Sequence, residues 1–403
     1  MKTNYLFTGL TIAALIFASC EADDTADIVI NNTDNSVTNN NGGGNTGDGE
    51  ETGQDIELMG TYTQDLTLNA DNNYTLTGSL VMAQGTVLTI PAGTVIRATS
   101  GTDRYIAISQ GATIAAQGTA SNPIVMTSAA DEPASGDWGG LIILGRAPIT
   151  SAASGSTATS EIGGLPYGGG DASDYSGVIS YVRVEYSGGA ADGQSENNGF
   201  SFYGVGNGTI VDHIQAYIGA DDGVEFFGGT VNARYVSMVG MEDDSVDWTD
   251  GWSGTISEVY ITQFESHGNG FEGDGFNTDN GNNSNPIFYS DPTFNKVTIN
   301  GFEGTGNGML IRAGTKGTFS NVVINNVETA FVLDGDMGDS PTGQHVIDDL
   351  LNAVDVVLNG VTTNVSNETG YTFDDGDFLT GLGNDEIDET DYDTWGAGWT
   401  INE

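Results

Sequence analysis

Residues 208–229 read GTIVDHIQAYIGADDGVEFFGG, and the chain then restates them out of step with any helix. Residues 229–254 run GTVNARYVSMVGMEDDSVDWTDGWSG, and a third copy opens at Gly254 with GTISEVYI. The Gly-Thr pairs recur after 21 and then 25 residues, and Asp221-Asp222-Gly223-Val224-Glu225-Phe226 returns 22 residues later as Asp243-Asp244-Ser245-Val246-Asp247-Trp248. A period of that length, filled with short β-branched runs between glycines, predicts the coils of a parallel β-solenoid.

Other segments share the rhythm. Val178–Val184, Thr255–Ile261, Thr293–Ile299 and Thr318–Ile324 align, with apolar residues at the second, fifth and seventh positions of each. That pattern predicts one strand, a kink and a new inward register. Upstream, residues 66–96 alternate between apolar and polar with glycine punctuation, as half-buried strands do. Gly140–Leu144 is apolar throughout and reads as a strand buried between two neighbours. Residues 150–177 break the rhythm and predict a long loop, and an insertion occupies 265–291. A short helix is expected over 346–357. The acidic tail from Asn367 is expected to close the last coil with Trp395, Trp399 and Ile401, because an open solenoid end exposes core and strand edges.

Composition agrees with this shape. The 403 residues include 60 Gly but only 8 Pro, a balance suited to thin interior stripes joined by tight corners. With 56 acidic residues against 9 basic ones, the net charge of −47 repels nucleic acid and anionic membrane surfaces. Anionic polysaccharides are repelled as well, unless a divalent cation bridges the two.

The N-terminus reads as an export signal. Met1-Lys2 is followed by an apolar run, Leu6 to Phe17, too short to span a bilayer. The ensuing Phe17-Ala18-Ser19-Cys20 resembles a bacterial lipobox, with Phe17 where Leu is usual and Cys20 as the lipidated residue. Cys20 is the only cysteine, which excludes a disulfide framework. Glu21-Ala22-Asp23-Asp24 resembles the acidic surface-export tag of Bacteroidota lipoproteins. The expected organisation is a signal peptide over 1–19, a lipidated cysteine and flexible Asn/Gly-rich tether over 20–56, and a β-helix with terminal cap over 57–403.

The segments SGVISYVRVEYSGG, GVGNGTIVDHIQAYIGADDGVEFFGGTVNARYV and DDSVDWTDGWSG, with GDWGGLIILGRAPI upstream, resemble a family of secreted or lipid-anchored β-helix proteins common in Bacteroidota. The resemblance spans roughly residues 57–330 and implies a pectate-lyase-like, right-handed parallel β-helix at the cell surface. It brings no established catalytic residues.

Several constellations invite chemistry. Asp221, Asp222 and Glu225 fall one coil from Asp243, Asp244 and Asp247, with Asp250 beyond them and Glu272, Asp274 and Asp279 in the following insertion. Coils stack about 4.8 Å apart, so carboxylates in register repel unless a cation or proton sits between them. All-oxygen ligands on a glycine-rich backbone suit Ca²⁺, while the plainer reading is that aspartates at coil corners cap turns. Trp248, Trp252, Phe226 and Phe227 repeat beside the acids. An interior ladder is the expectation for Phe226 or Phe227, whereas Trp252, between Gly251 and Ser253, is expected at the surface, where with Trp248, Glu272 and Asp274 it would meet a ligand.

Catalytic patterns fit less well. The Asp-Asp pairs, Ser266-His267-Gly268 and Asn277-Thr278-Asp279 echo pectin-hydrolysing β-helix glycosidases, but in the wrong order. A lyase base would come from Arg183, Arg234 or Arg312, each also placed to pair with surplus acid, and His213, His267 and His345 share no metal-ligand spacing. The sequence therefore predicts a lipoprotein held on the outer face of an outer membrane, serving as a non-catalytic binding or scaffolding module that captures a glycan or an outer-membrane transporter. A polysaccharide lyase or hydrolase, or a structural adhesin-like stalk, is the alternative.

Overall fold

A computed structural model describes residues 53–153, 155–190, 197–278, 286–334, 340–384 and 386–402. The expected signal peptide over 1–19, Cys20, most of the tether and Asp279 lie outside the described residues.

Among the described residues, 24 strands join into one hydrogen-bonded sheet that winds as a right-handed parallel β-helix. From Gly177 onward each coil carries two strands, one long and one short. The long strands Gly177–Glu185, Ile210–Gly219, Asn232–Met241, Thr255–Thr262, Thr293–Asn300, Gly317–Asn325 and Leu351–Asn359 pair successively in parallel. The short strands Phe200–Val205, Val224–Gly229, Val246–Thr249, Phe271–Asp274, Asn307–Arg312, Thr329–Asp334 and Thr363–Glu368 do the same.

The kink in each long strand is a single residue in the left-handed region. Tyr181, His213, Tyr235, Glu258, Lys296, Asn321 and Asp355 occupy it at matched positions, with φ of 49°, 55°, 58°, 59°, 58°, 54° and 56°. None is glycine, so each costs roughly 1–2 kcal/mol of backbone strain. The turn lets both halves of the strand aim side chains inward: Ile179 before Tyr181 and Val182 and Val184 after it are all buried. Earlier in the chain the two halves are separate, since Gly177–Glu185 pairs with Thr113–Gln117 through its first half and with Ile124–Ser128 through its second.

The interior is a continuous apolar column with an aromatic stack at its centre. Phe202 stacks on Phe226 at 5.3 Å, Phe226 on Trp252 at 4.3 Å, and Phe294 on Phe319 at 5.4 Å. Gly140–Leu144 is buried on both faces for two reasons. Leu141 and Ile143 join the column, while Ile142 and Leu144 face outward beneath the excursion after Leu144. That excursion carries a small antiparallel pair, Ala158–Thr159 with Pro166–Tyr167, and lays Ile149, Ile162 and Tyr167 over Tyr203 and Phe227.

Two expectations about the C-terminal region need correction. The helix lies at Thr342–Ile347, before the expected 346–357, and Leu351–Asn359 is a strand because Leu351, Ala353 and Val356 enter the core. The last coil is closed by the short helix Asp375–Phe378, whose Phe378 meets Phe331 edge-on at 5.1 Å. Trp395, Trp399 and Ile401 instead run back along the side of the solenoid. Tyr392 stacks on Tyr260 at 3.7 Å, and Trp399 packs against Tyr181 and His213. Arg183 donates to the Trp399 carbonyl at 2.6 Å, and the Gln215 amide both donates to and accepts from the Ile401 backbone at 2.8 Å. The tail's rings find a ready-made aromatic row there, because the kink residues Tyr181, His213 and Tyr235 stack outward at 4.0 and 4.2 Å.

Candidate functional site

Strand alternation builds an acidic face on the short-strand sheet. Val224 and Phe226 point inward, so Glu225 points out; Val246 and Trp248 do the same for Asp247, and Phe271 for Glu272. Register aligns these positions: Ser201 lies opposite Glu225, Glu225 opposite Asp247, and Asp247 opposite Glu272. One residue pair further along, Asp274 lies opposite Arg312. Gly273 sits between Glu272 and Asp274 because the Trp248 indole fills the space a Cβ would need, its nearest ring atom 2.0 Å from that position.

The turns entering these strands supply the second row. Asp222 accepts the N–H of Asp244 at 3.0 Å, Asp244 accepts the N–H of Asn269, and Asn269 Oδ1 accepts from Asn307 Nδ2 at 3.0 Å. The corner-capping role expected of these aspartates is thus present, each side chain seating the next coil. Asn198 donates to Glu225 at 2.7 Å. Asp221, Asp222 and Asp244 are buried, Asp243 is exposed, and Glu225, Asp247 and Glu272 are partly buried.

Burial and mutual repulsion set the electrostatics. Desolvation, then the charges of Asp221, Asp247, Glu225 and Asp244, push Asp222 well above the usual carboxylate range. Asp244 and Asp247 are pushed well up by the same two causes, burial first and neighbouring acids second. Burial raises Glu272 to about 7 despite the opposing pull of Arg312. Arg312 bridges Glu272 and Asp274, with its Nε 2.6 Å from Asp274 Oδ1. Burial opposes its charge, but those two carboxylates more than compensate and keep the guanidinium protonated.

Among the described residues, two sets of carboxylates place their oxygens within 4.8 Å of one another: Asp221, Asp222 and Asp243, and Asp222, Glu225 and Asp247. One oxygen of Asp247, Oδ1, is shut off from solvent and has no hydrogen-bond partner.

Asp250 stands apart from the acid stack in which the sequence had grouped it. It is fully buried and pins the excursion, accepting from Thr150 and Ser151 through backbone and hydroxyl groups and from the Tyr167 hydroxyl at 2.9 Å. Trp248 and Trp252 are also enclosed, each 0% exposed, which corrects the expectation that they meet a ligand at the surface. Trp252 stacks on Phe226 and donates its indole N–H to the Val231 carbonyl at 3.1 Å; Trp248 donates to Thr315 Oγ1 at 3.1 Å. Phe226 joins the interior ladder as expected, and Phe227 stacks on Tyr203 beneath the excursion at 3.9 Å.

The remaining catalytic candidates disperse. Arg183 and Arg234 lie on long strands, Arg183 paired with Glu185 and Arg234 over the Tyr235 ring, so only Arg312 of the three reaches the acidic face. His213 is in the outward aromatic row, His267 bonds the Gly268 carbonyl and Thr305, and His345 faces the Thr315 carbonyl. The surplus acid with which Arg312 was expected to pair is Glu272 and Asp274; its alignment opposite Asp274 is set by the register across the 265–291 insertion.

A family model described as a pectate-lyase like beta helix domain matches residues 60–400. No curated protein matches the chain. Among solved structures the chain is similar to the enzymatically active domain of tailspike protein 2 of bacteriophage CBA120, at 12% identity over 76% of this chain and 41% of that one, with a TM-score of 0.23.

Proposed function

The chain belongs to the pectate-lyase-like β-helix family, and from that premise we propose that it is a non-catalytic binding module whose ligand-contacting surface is the acidic face of the short-strand sheet. The observation that carries this reading is the commitment of the face's charged groups to one another. Arg312 is locked between Glu272 and Asp274 and stays protonated, so it is no proton acceptor, while Asp222 and Asp244 hold the backbone of the next coil. A rigid row of acidic side chains offers hydrogen-bond partners to the hydroxyl groups of a neutral glycan, and the chain's net charge of −47 repels a polyanion. The proposed setting is the outer surface of an outer membrane, with Cys20 as the lipid anchor and an outer-membrane transporter as the alternative partner.

A second reading, a glycoside hydrolase or lyase, draws on one observation: Glu272, raised to about 7, is poised to exchange a proton near neutrality. A glycan array followed by product analysis separates the two. Binding with intact glycan supports the module; new reducing or unsaturated ends, lost in Glu272→Gln, replace it with the enzyme; a blank on both leaves the stalk. Metabolic labelling with palmitate, abolished by Cys20→Ser, tests the anchor.

A further inference from the structure

We infer that Asp222, Glu225 and Asp247 form a binding site for one divalent cation of oxygen-ligand preference, Ca²⁺ above all. The inference holds whether the acidic face binds or cleaves.

The three side chains come from two coils. Glu225 and Asp247 are direct neighbours across the parallel pair Val224–Gly229 and Val246–Thr249, and Asp222 enters from the turn before Glu225. Their oxygens lie within 4.8 Å of one another, a span that a cation with 2.3–2.6 Å bonds to oxygen closes. An acidic cluster alone would not distinguish a cation from shared protons. Beside the cluster stands a second observation: Asp247 Oδ1 is shut off from solvent and accepts no hydrogen bond. Leaving such an atom unpaired is costly, and a cation supplies the missing partner while neutralising its two neighbours.

The adjoining trio, Asp221, Asp222 and Asp243, lacks that feature, and Asp243 is open to solvent. Arg312 answers the next two acids in the row, Glu272 and Asp274. The face therefore divides into an arginine-compensated end and an end that a cation completes. Three carboxylates with water filling the remaining positions fit the six to eight ligands of Ca²⁺ better than the strict octahedron of Mg²⁺.

The test is calorimetric titration of chelator-stripped full-length protein with CaCl₂ and, separately, MgCl₂. The expected result is one Ca²⁺ per chain, with Kd on the order of 10⁻⁴ M or tighter. Mg²⁺ should bind more weakly. Asp247→Asn should weaken Ca²⁺ on the order of tenfold or more, while Asp243→Asn leaves it within about twofold, since affinity follows the carboxylates that coordinate. Absence of Ca²⁺ binding up to about 10 mM, beyond the range of weak extracellular sites, overturns the inference. So does a larger loss with Asp243→Asn than with Asp247→Asn. Melting of Asp247→Asn in chelator controls for folding and should match or exceed wild type, because one crowded buried charge is gone. If it does not, Glu225→Gln provides the same comparison, and retention of full Ca²⁺ affinity there is equally fatal.

Discussion

The carboxylate of Asp222 accepts the main-chain N–H of Asp244, 22 residues further on, at 3.0 Å, so a side chain from one coil seats the backbone of the next. Asp244 does the same for Asn269. The acidic face is thus part of the structure that stacks the coils as well as a surface for a ligand, and its charges act on stability directly.

Stability should fall as pH rises. Glu272, Asp222, Asp244 and Asp247 all have folded-state values above their unfolded ones, so the folded state holds extra protons between the two values and loses that advantage as they leave. For Glu272 the window runs from its unfolded value of 4.5 to about 7. Its share is about 3 kcal/mol. Melts in chelator should show a higher Tm at pH 5 than at pH 8; a rising trend would mean that these groups are ionised in the fold at no cost.

Replacing Arg312 should steepen that slope. Arg312→Met leaves Glu272 and Asp274 without their cation, costing about 3 kcal/mol at pH 8 and less at pH 5, where Glu272 is already protonated. Denaturant unfolding at the two pH values measures the difference, and equal losses at both would detach Glu272 from the ion pair.

Asp250→Ala should release the excursion. It strands the donors of Thr150, Ser151 and Tyr167, at a cost of roughly 3 kcal/mol or more. Limited proteolysis should then cut between residues 150 and 170 while the coils resist, whereas global unfolding would show that the excursion is not a separable element.

Trp252→Ala should destabilise by about 3–5 kcal/mol, as core aromatic truncations do. Ligand affinity of the protein that remains folded should be unchanged, because the ring lies inside the column. Selective loss of binding at undiminished Tm would return Trp252 to the surface.

Much of the architecture was legible because the solenoid writes its geometry repeatedly. The second, fifth and seventh apolar positions located a kink, and the structure puts it on the residue between the second and fifth that turns left-handed, Tyr181 or Glu258 for example. Glu225 and Asp247 were legible as neighbours because each alternates with buried residues at the same phase. Trp252 was not, since Gly251-Trp252-Ser253 looks like a polar turn although the indole folds back over Phe226. Asp250 differs from Asp247 only in which side of the strand end it occupies, and that depends on an excursion 100 residues earlier in sequence. The tail's aromatic residues suit an end or a flank equally well. What decided the matter was the outward row of Tyr181, His213 and Tyr235, side chains presented by the kinks.

That returning tail has a bearing on cooperativity. A pile whose members touch only their neighbours can shed them singly from either end. The segment 386–402 holds six successive long strands at once, through Arg183, Gln215, Ser237, Glu258, Lys296 and Asn321. Those six coils are expected to come apart together, so that the solenoid's middle unfolds as one unit where its repeat alone would make it a chain of many.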